Sequence, residues 1–364
     1  MKKSLVVLAA LGFVGVACAQ SSVTLFGVVD ADVSHYSQGG ISKTMQGSSG
    51  NSPSQLGFRG TEDLGGDLSA NFWLEATLLS NSGSGLATGG GLSFSRRSTV
   101  SVAGDFGEVR LGRDFSPSYW NHVMFSAFGT VGPGAGSSIT QGGTYAVTKT
   151  FNSNAIQYLW GYAPNAMANV GRGVYAQLMY AFPGTVSGQP ALNQYAGGRL
   201  GYAAGPLNAA VSYAQSKGTP YPVDALAGYS TYKEFNLGGS YDFGVAKLMA
   251  HVGTNNSDAA GTKYTHWGLG TRIIAGPGYI PVSFNSIKQN NASGSGANEL
   301  AVGYVYFLSK RTALYATAAR IHNKNNGTYT FVGGNGSNNP QFSAVHGFTY
   351  GNGTGYDVGV RTSF

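Results

Sequence analysis

The chain reads as an all-β protein, a 16-stranded antiparallel transmembrane β-barrel, and three observations predict it. The segment from Tyr356 to Phe364 (YDVGVRTSF) sets Tyr356, Val358, Val360, Thr362 and Phe364 on one face and Asp357, Gly359, Arg361 and Ser363 on the other. Period-two alternation of this kind suits hydrocarbon on one side and water on the other. The start of the chain has the form of an export signal: basic Met1-Lys2-Lys3, an apolar core from Leu5 to Val16, and Ala17-Cys18-Ala19 as a small-x-small cleavage site. Beyond it no run of about 18 apolar residues could make a spanning helix, yet 57 Gly, 22 Tyr and 19 Phe supply turn formers and girdle aromatics. In lipid, a closed sheet is the way such strands satisfy every backbone group.

Residues 1–19 are therefore expected to be a cleaved signal peptide, and residues 20–364 a single barrel domain. The apolar core of the leader falls short of the roughly 20 residues that a membrane anchor needs. Cleavage after Ala19 removes Cys18, the only cysteine, so no disulfide framework is available. Losing Lys2 and Lys3 from 22 basic residues leaves 20 against 15 acidic ones, too mild an excess for a nucleic-acid partner.

Alternation and turn residues place strands at 22–34, 54–62, 67–80, 94–104, 107–114, 151–162, 172–181, 194–204, 206–216, 231–242, 244–255, 263–275, 277–288, 297–308, 311–323 and 352–364. Short links recur at 63–66, 104–107, 204–206, 242–244, 275–278 and 308–310, as periplasmic turns would. Long Gly/Ser/Asn-rich loops at 35–53, 81–93, 115–150, 217–230 and 324–351 fall between them, on the extracellular side. Hairpins with alternately short and long ends make an up-and-down barrel. A soluble sandwich or propeller would need large apolar residues on both sheets, whereas one face of most strands here is Gly, Ser, Asn, Gln or charged, which predicts a wet interior.

Alternation also assigns facing. Leu56 and Phe58 outward put Arg59 and Thr61 inward; Phe72 and Leu74 outward put Trp73 and Glu75 inward; Val100 and Val102 outward put Arg97 inward. By the same rule Arg110, Arg199, Lys247, His251, Arg272 and Arg361 face the lumen, with Asp30, Glu299 and Asp357, whereas Arg113 and Arg320 stay ambiguous. An arginine facing lipid at mid-membrane costs roughly 2–4 kcal/mol, which favours the lumen. Arg59, Arg97 and Arg110 come from neighbouring strands and should form a basic stripe, with Glu75 paired to one of them.

The segments Ser22-Val-Thr-Leu-Phe-Gly-Val-Val-Asp30, Leu56-Gly-Phe-Arg-Gly-Thr-Glu-Asp-Leu-Gly-Gly66, Phe94-Ser-Arg-Arg-Ser-Thr-Val-Ser-Val102 and Phe106-Gly-Glu-Val-Arg-Leu-Gly-Arg113 resemble the general-diffusion porins of Gram-negative bacteria, the betaproteobacterial and neisserial type. The resemblance spans the chain. It implies a homotrimer in outer-membrane lipid, a third loop (about 115–150) folded into the pore as a constriction, and a terminal strand ending in Phe364 that the barrel-insertion machinery reads. Two stretches depart from that pattern. Phe151 and Gln157 stand at arginine positions of the sixth strand, and the third loop from Phe115 through Thr148 has no charged residue but carries Tyr119, Trp120, Phe125 and Phe128.

The expected activity is passive diffusion of small hydrophilic solutes with modest anion preference, because a basic wall faces a loop without carboxylates. The competing readings are a solute-specific channel with an aromatic constriction, an outer-membrane hydrolase and an adhesin. Neither a Gly-x-Ser-x-Gly nor a His-Glu-x-x-His motif supports the hydrolase. The histidines look scattered, His251 and His266 read as polar wall residues, and neither a metal-ligand cluster nor a cofactor is expected, although loop Asp residues could hold a calcium ion.

Overall fold

The computed structural model describes residues 22–140, 150–167, 169–184, 193–218, 230–258, 262–290, 293–331 and 340–364; the expected signal peptide and parts of several loops lie outside them. Among the described residues seventeen strands follow one another: β1 Ser22–Gln38, β2 Ile41–Ser48, β3 Gln55–Gly65, β4 Leu68–Thr77, β5 Arg97–Gly104, β6 Gly107–Phe115, β7 Phe151–Trp160, β8 Gly173–Ala181, β9 Tyr195–Ala204, β10 Leu207–Gly218, β11 Ser230–Asp242, β12 Ala246–Ser257, β13 Thr262–Ala275, β14 Gly278–Gln289, β15 Gly296–Phe307, β16 Thr312–Lys324 and β17 Gly353–Ser363. Two short helices, α1 Pro117–Val123 and α2 Ser137–Thr140, lie in the long third loop.

From β3 to β17 each strand pairs antiparallel with the next, and β1 closes the ring by pairing Val28–Gln38 with Gly353–Ser363 of β17. On its other side β1 pairs first with β3, over Ser22–Val28, and then with β2, over Ala31–Gln38. β2 and β3 therefore share one place in the wall, and the barrel is 16-stranded as expected. The expected loop at 35–53 is corrected in part. Gly39 and Gly40, both with positive φ (59° and 82°), form a two-residue turn that extends the ladder up to Ser48. Only residues 49–54 leave the wall.

Asp30 explains how that excursion is held. Its carboxylate accepts the backbone N–H of Gly50 (3.2 Å), Asn51 (3.0 Å) and Ser52 (2.6 Å), and the Tyr315 hydroxyl from β16 donates to it at 2.5 Å. Gly50 is required there, since a Cβ would collide with the Tyr315 hydroxyl.

Outside and inside differ as the alternation requires. Leu178, Leu200 and Leu269 expose 56%, 56% and 58% of their surface on the outer face, while Gln177 and Arg199 beside them expose 0% and 2%. Apolar exposure on this scale is stable against lipid, not water. The wholly wet interior expected from composition is corrected, because Tyr36, Ile139, Tyr264, Ile287, Ala301, Ile321, Phe331 and Phe342 form an apolar cluster. Ile139 comes from α2, and Phe331 and Phe342 come from the last long loop, which folds back over the barrel: Tyr329 receives hydrogen bonds at its carbonyl from Gln38 Nε2 and Asn323 Nδ2.

The end of the chain completes the seam. Phe364 and Gly27 exchange two backbone hydrogen bonds of 3.1 Å, and the Phe364 ring lies across Gly27, where a Cβ would overlap it. Gly27→Val should weaken closure by about 1–3 kcal/mol, read as a lower temperature for loss of the compact band of unheated protein in SDS gels. An unchanged midpoint would show that the ring has another resting place.

Candidate functional site

The third loop leaves β6 at Phe115 and turns into the lumen at once. Ser116 caps α1 by accepting the Tyr119 N–H at 3.2 Å, and Pro117 starts the helix. The helix lies on the wall formed by β9, β10 and β11. Asn121 Nδ2 donates to the Ala210 carbonyl (3.2 Å) and to the Asn236 side chain, and Asn236 Nδ2 donates to the Ser118 carbonyl at 3.4 Å. Phe125 is buried against Tyr175 and Ala210 and fills the space over Gly238. Farther along, Ala127 O accepts from Arg272 Nε at 2.7 Å, and Gly132 passes beside Gly50 and Asp357.

The four expected loop aromatics divide. Tyr119 stacks on Phe115 and Trp120 packs against the same ring at a tilt, with centroids 5.3 and 4.9 Å away. Tyr119, Trp120 and Phe128 also line a cavity of about 230 Å3, opposite Asn51, Ser52 and Gln55, with Glu75, Arg96, Met167 and Arg272 completing its rim. Phe125 is packing and does not line that cavity.

The basic stripe is rearranged. Arg97 and Arg110 point inward as alternation requires, but they expose 0% and 1% of their surface. Arg97 Nε donates to Asp114 Oδ1 at 2.6 Å, Arg110 Nη1 to Asp114 Oδ2 at 2.9 Å, and Arg110 Nη2 reaches Glu108 Oε1 at 2.9 Å. The link from β7 to β8 folds up over them. Ala166 O accepts from Arg110 Nη2 (3.0 Å), Met167 O from Arg97 Nη2 (3.3 Å), and the Asn165 N–H donates to Glu108 Oε2 at 3.0 Å. Of the three arginines only Arg59 stays exposed, with its guanidinium 5.1 Å from the Trp73 ring centroid. The expected partner of Glu75 is replaced by Arg96, at 2.5 Å. Arg96 lies inside the expected strand 94–104, where alternation with Arg97 would turn it to lipid, but β5 begins only at Arg97, so the period does not extend to it.

Arg199 is buried, with Nη2 donating to the Tyr162 hydroxyl at 2.6 Å. Lys247, Arg272 and Arg361 are half-buried, and none of them takes part in an ion pair among the described residues. The inward carboxylates behave oppositely: Asp30, Asp32, Glu75, Glu108, Asp114, Glu234, Glu299 and Asp357 are all buried. Of the two ambiguous arginines, Arg113 donates to the Ser95 carbonyl and the Ser153 hydroxyl at a strand end, and Arg320 is exposed on the face opposite Ala319 and Ile321.

Three of the six histidines come together rather than lying scattered. His251 on β12 and His266 on β13 sit diagonally across their ladder, where His251 opposes Gly268 and Gly253 opposes His266. α1 brings His122 to within 4.9 and 5.6 Å of their ring centroids. Burial, with His251 and His266 alongside, holds the His122 imidazole well below its ordinary range and therefore neutral.

A closed lipid-facing barrel, narrowed by an infolded loop and lined by water-facing cations, defines an outer-membrane diffusion channel. The profile of the Gram-negative porin family matches residues 4–326, and the chain belongs to that family. It is 38% identical over the full length of both chains to outer membrane porin protein 32 of Delftia acidovorans, and 27% identical to an outer membrane porin protein of Bordetella pertussis over 89% of this chain and 95% of that protein. Among solved structures it is similar to the anion-selective porin from Comamonas acidovorans, with a TM-score of 0.76, 34% identity, and 95% and 100% of the two chains covered. OmpT of Vibrio cholerae, at 15% identity and a TM-score of 0.69 over 94% of this chain and 99% of that one, shares the fold.

Asp114 holds two guanidiniums in a dry site. Asp114→Asn should destabilise the barrel by about 3–5 kcal/mol, the usual effect of stranding buried charge, measured as the urea midpoint of the detergent-folded protein. A change below about 1 kcal/mol would mean that water already reaches Arg97 and Arg110.

Proposed function

We propose that this porin is a general-diffusion pore with modest preference for anions and little chemical selectivity, working as a homotrimer. One observation carries the reading: every inward carboxylate named above is buried in the wall or against a loop, while Arg59, Lys247, Arg272 and Arg361 keep contact with lumen water. A hydrated solute therefore meets a positive potential although many of the charges in the wall cancel one another. Tyr119, Trp120 and Phe128 beside the narrow cavity favour a size limit, and the packing of Tyr119 and Trp120 against Phe115 argues against a continuous aromatic track for one solute class. The anion selectivity stated for the Comamonas acidovorans porin agrees with this reading. The trimer rests on family likeness, as does recognition of Phe364 by the insertion machinery; the OmpT neighbour was solved in a trimer form. The pore does its work without a chemical step, by letting solutes run down their gradients.

In planar bilayers under asymmetric KCl, replacing Arg59 and Arg272 together with Gln should move the reversal potential toward cations. The single variant Arg97→Gln should leave it within error of the parent, since Arg97 is out of the water. A shift from Arg97→Gln equal to that of the double variant would overturn the assignment.

A further inference from the structure

We propose that His122, His251 and His266 form a transition-metal site of the Zn2+, Ni2+ or Cu2+ class that fastens the third loop to the barrel wall. The three imidazoles come from three elements, are all buried, and offer donor atoms that all lie within 4.8 Å of one another. A Zn–N bond of about 2.0–2.1 Å in a tetrahedral site sets donor separations of about 3.4 Å, so modest ring rotations suffice. Imidazole is the ligand type shared by these metals, and with neither thiolate nor carboxylate in the cluster the harder cations Mg2+ and Ca2+ are disfavoured.

Independent features point to a ligand at this place. His122 Nδ1 and His266 Nδ1 are buried without a hydrogen-bond partner, and His251, which meets the Phe125 backbone through one ring nitrogen, has its other nitrogen buried without one, although buried polar groups in folded proteins are nearly always satisfied. A metal ion would satisfy one nitrogen of each ring. The remaining contact is of the kind that orients a metal-binding imidazole: His122 Nε2 lies 2.9 Å from the Thr140 hydroxyl at the end of α2, which leaves Nδ1 for the ion. Glycines keep the space open. A Cβ at Gly253 would stand 2.6 Å from His266 Nε2, and one at Gly268 would stand 2.8 Å from His251 Nε2.

A bound divalent ion would tie both helices of the third loop to β12 and β13, and three neutral ligands would leave its charge of +2 uncompensated beside the pore. With three protein ligands, a fourth position stays open to water or a small anion.

The experiment uses the full-length porin folded in detergent, stripped with chelator and titrated with Zn2+, with bound metal counted by elemental analysis. One ion per chain is expected. The exposed histidines His35, His322 and His346 provide the control, since replacing all three with Ala should leave that ion in place. His122→Ala should lose it while keeping the compact mobility of unheated protein, and Co2+ in the parent should show four-coordinate visible absorption that His266→Gln abolishes. Absence of stoichiometric Zn2+ in the parent, or its loss in the variant lacking the exposed histidines, would overturn the proposal, because water would then be what fills the cluster.

Discussion

A backbone crossing a bilayer finds no water to hydrogen-bond with, and the rest of this molecule follows from that constraint. The first strand must meet the last, so β1 serves two neighbours on one side and β17 on the other, and the chain ends within the seam that it closes. Even the interruption between β2 and β3 obeys the rule. The N–H groups released from the ladder at residues 50–52 are taken up by the Asp30 carboxylate, an acceptor that the wall itself supplies.

The same shortage of water governs the interior. Buried charges are stable there only in company, and the strand arginines Arg97 and Arg110 share Asp114, Glu108 and two carbonyls of the folded link at 166–167. Apolar and aromatic side chains then fill part of the lumen, from α2, the last long loop and the inner faces of β13 to β16. The aqueous path is what remains between these fillings. Its electrostatics depend on which charges stayed wet more than on how many the wall contains.

The strands were legible because lipid on one side enforces a period of two over many residues; most of the observed bounds match the expected ones within two positions. The hairpin tip at Gly39-Gly40 was written in the sequence as a two-residue turn signal, though it was hidden in a polar stretch that read as loop. Facing was equally legible, so Arg97, Arg110 and Asp30 do point inward. Their burial was not, because it depends on residues 50–52 and 165–167 returning to the wall from a distance, and no local period records that. Arg96 and His122 were missed for a related reason: the strand expected from 94 begins only at Arg97, which leaves Arg96 outside the alternation that would have turned it to lipid, and His122 lies in α1, where alternation has nothing to say.

The link at 161–172 enters from the side of the short turns, opposite to the loops that face the outside world. Its hold on Arg97, Arg110 and Glu108 means that this part of the wall is braced from within the cell envelope. The contacts that secure this arrangement of charges therefore sit at the opposite end of the barrel from the long loops and do not depend on them.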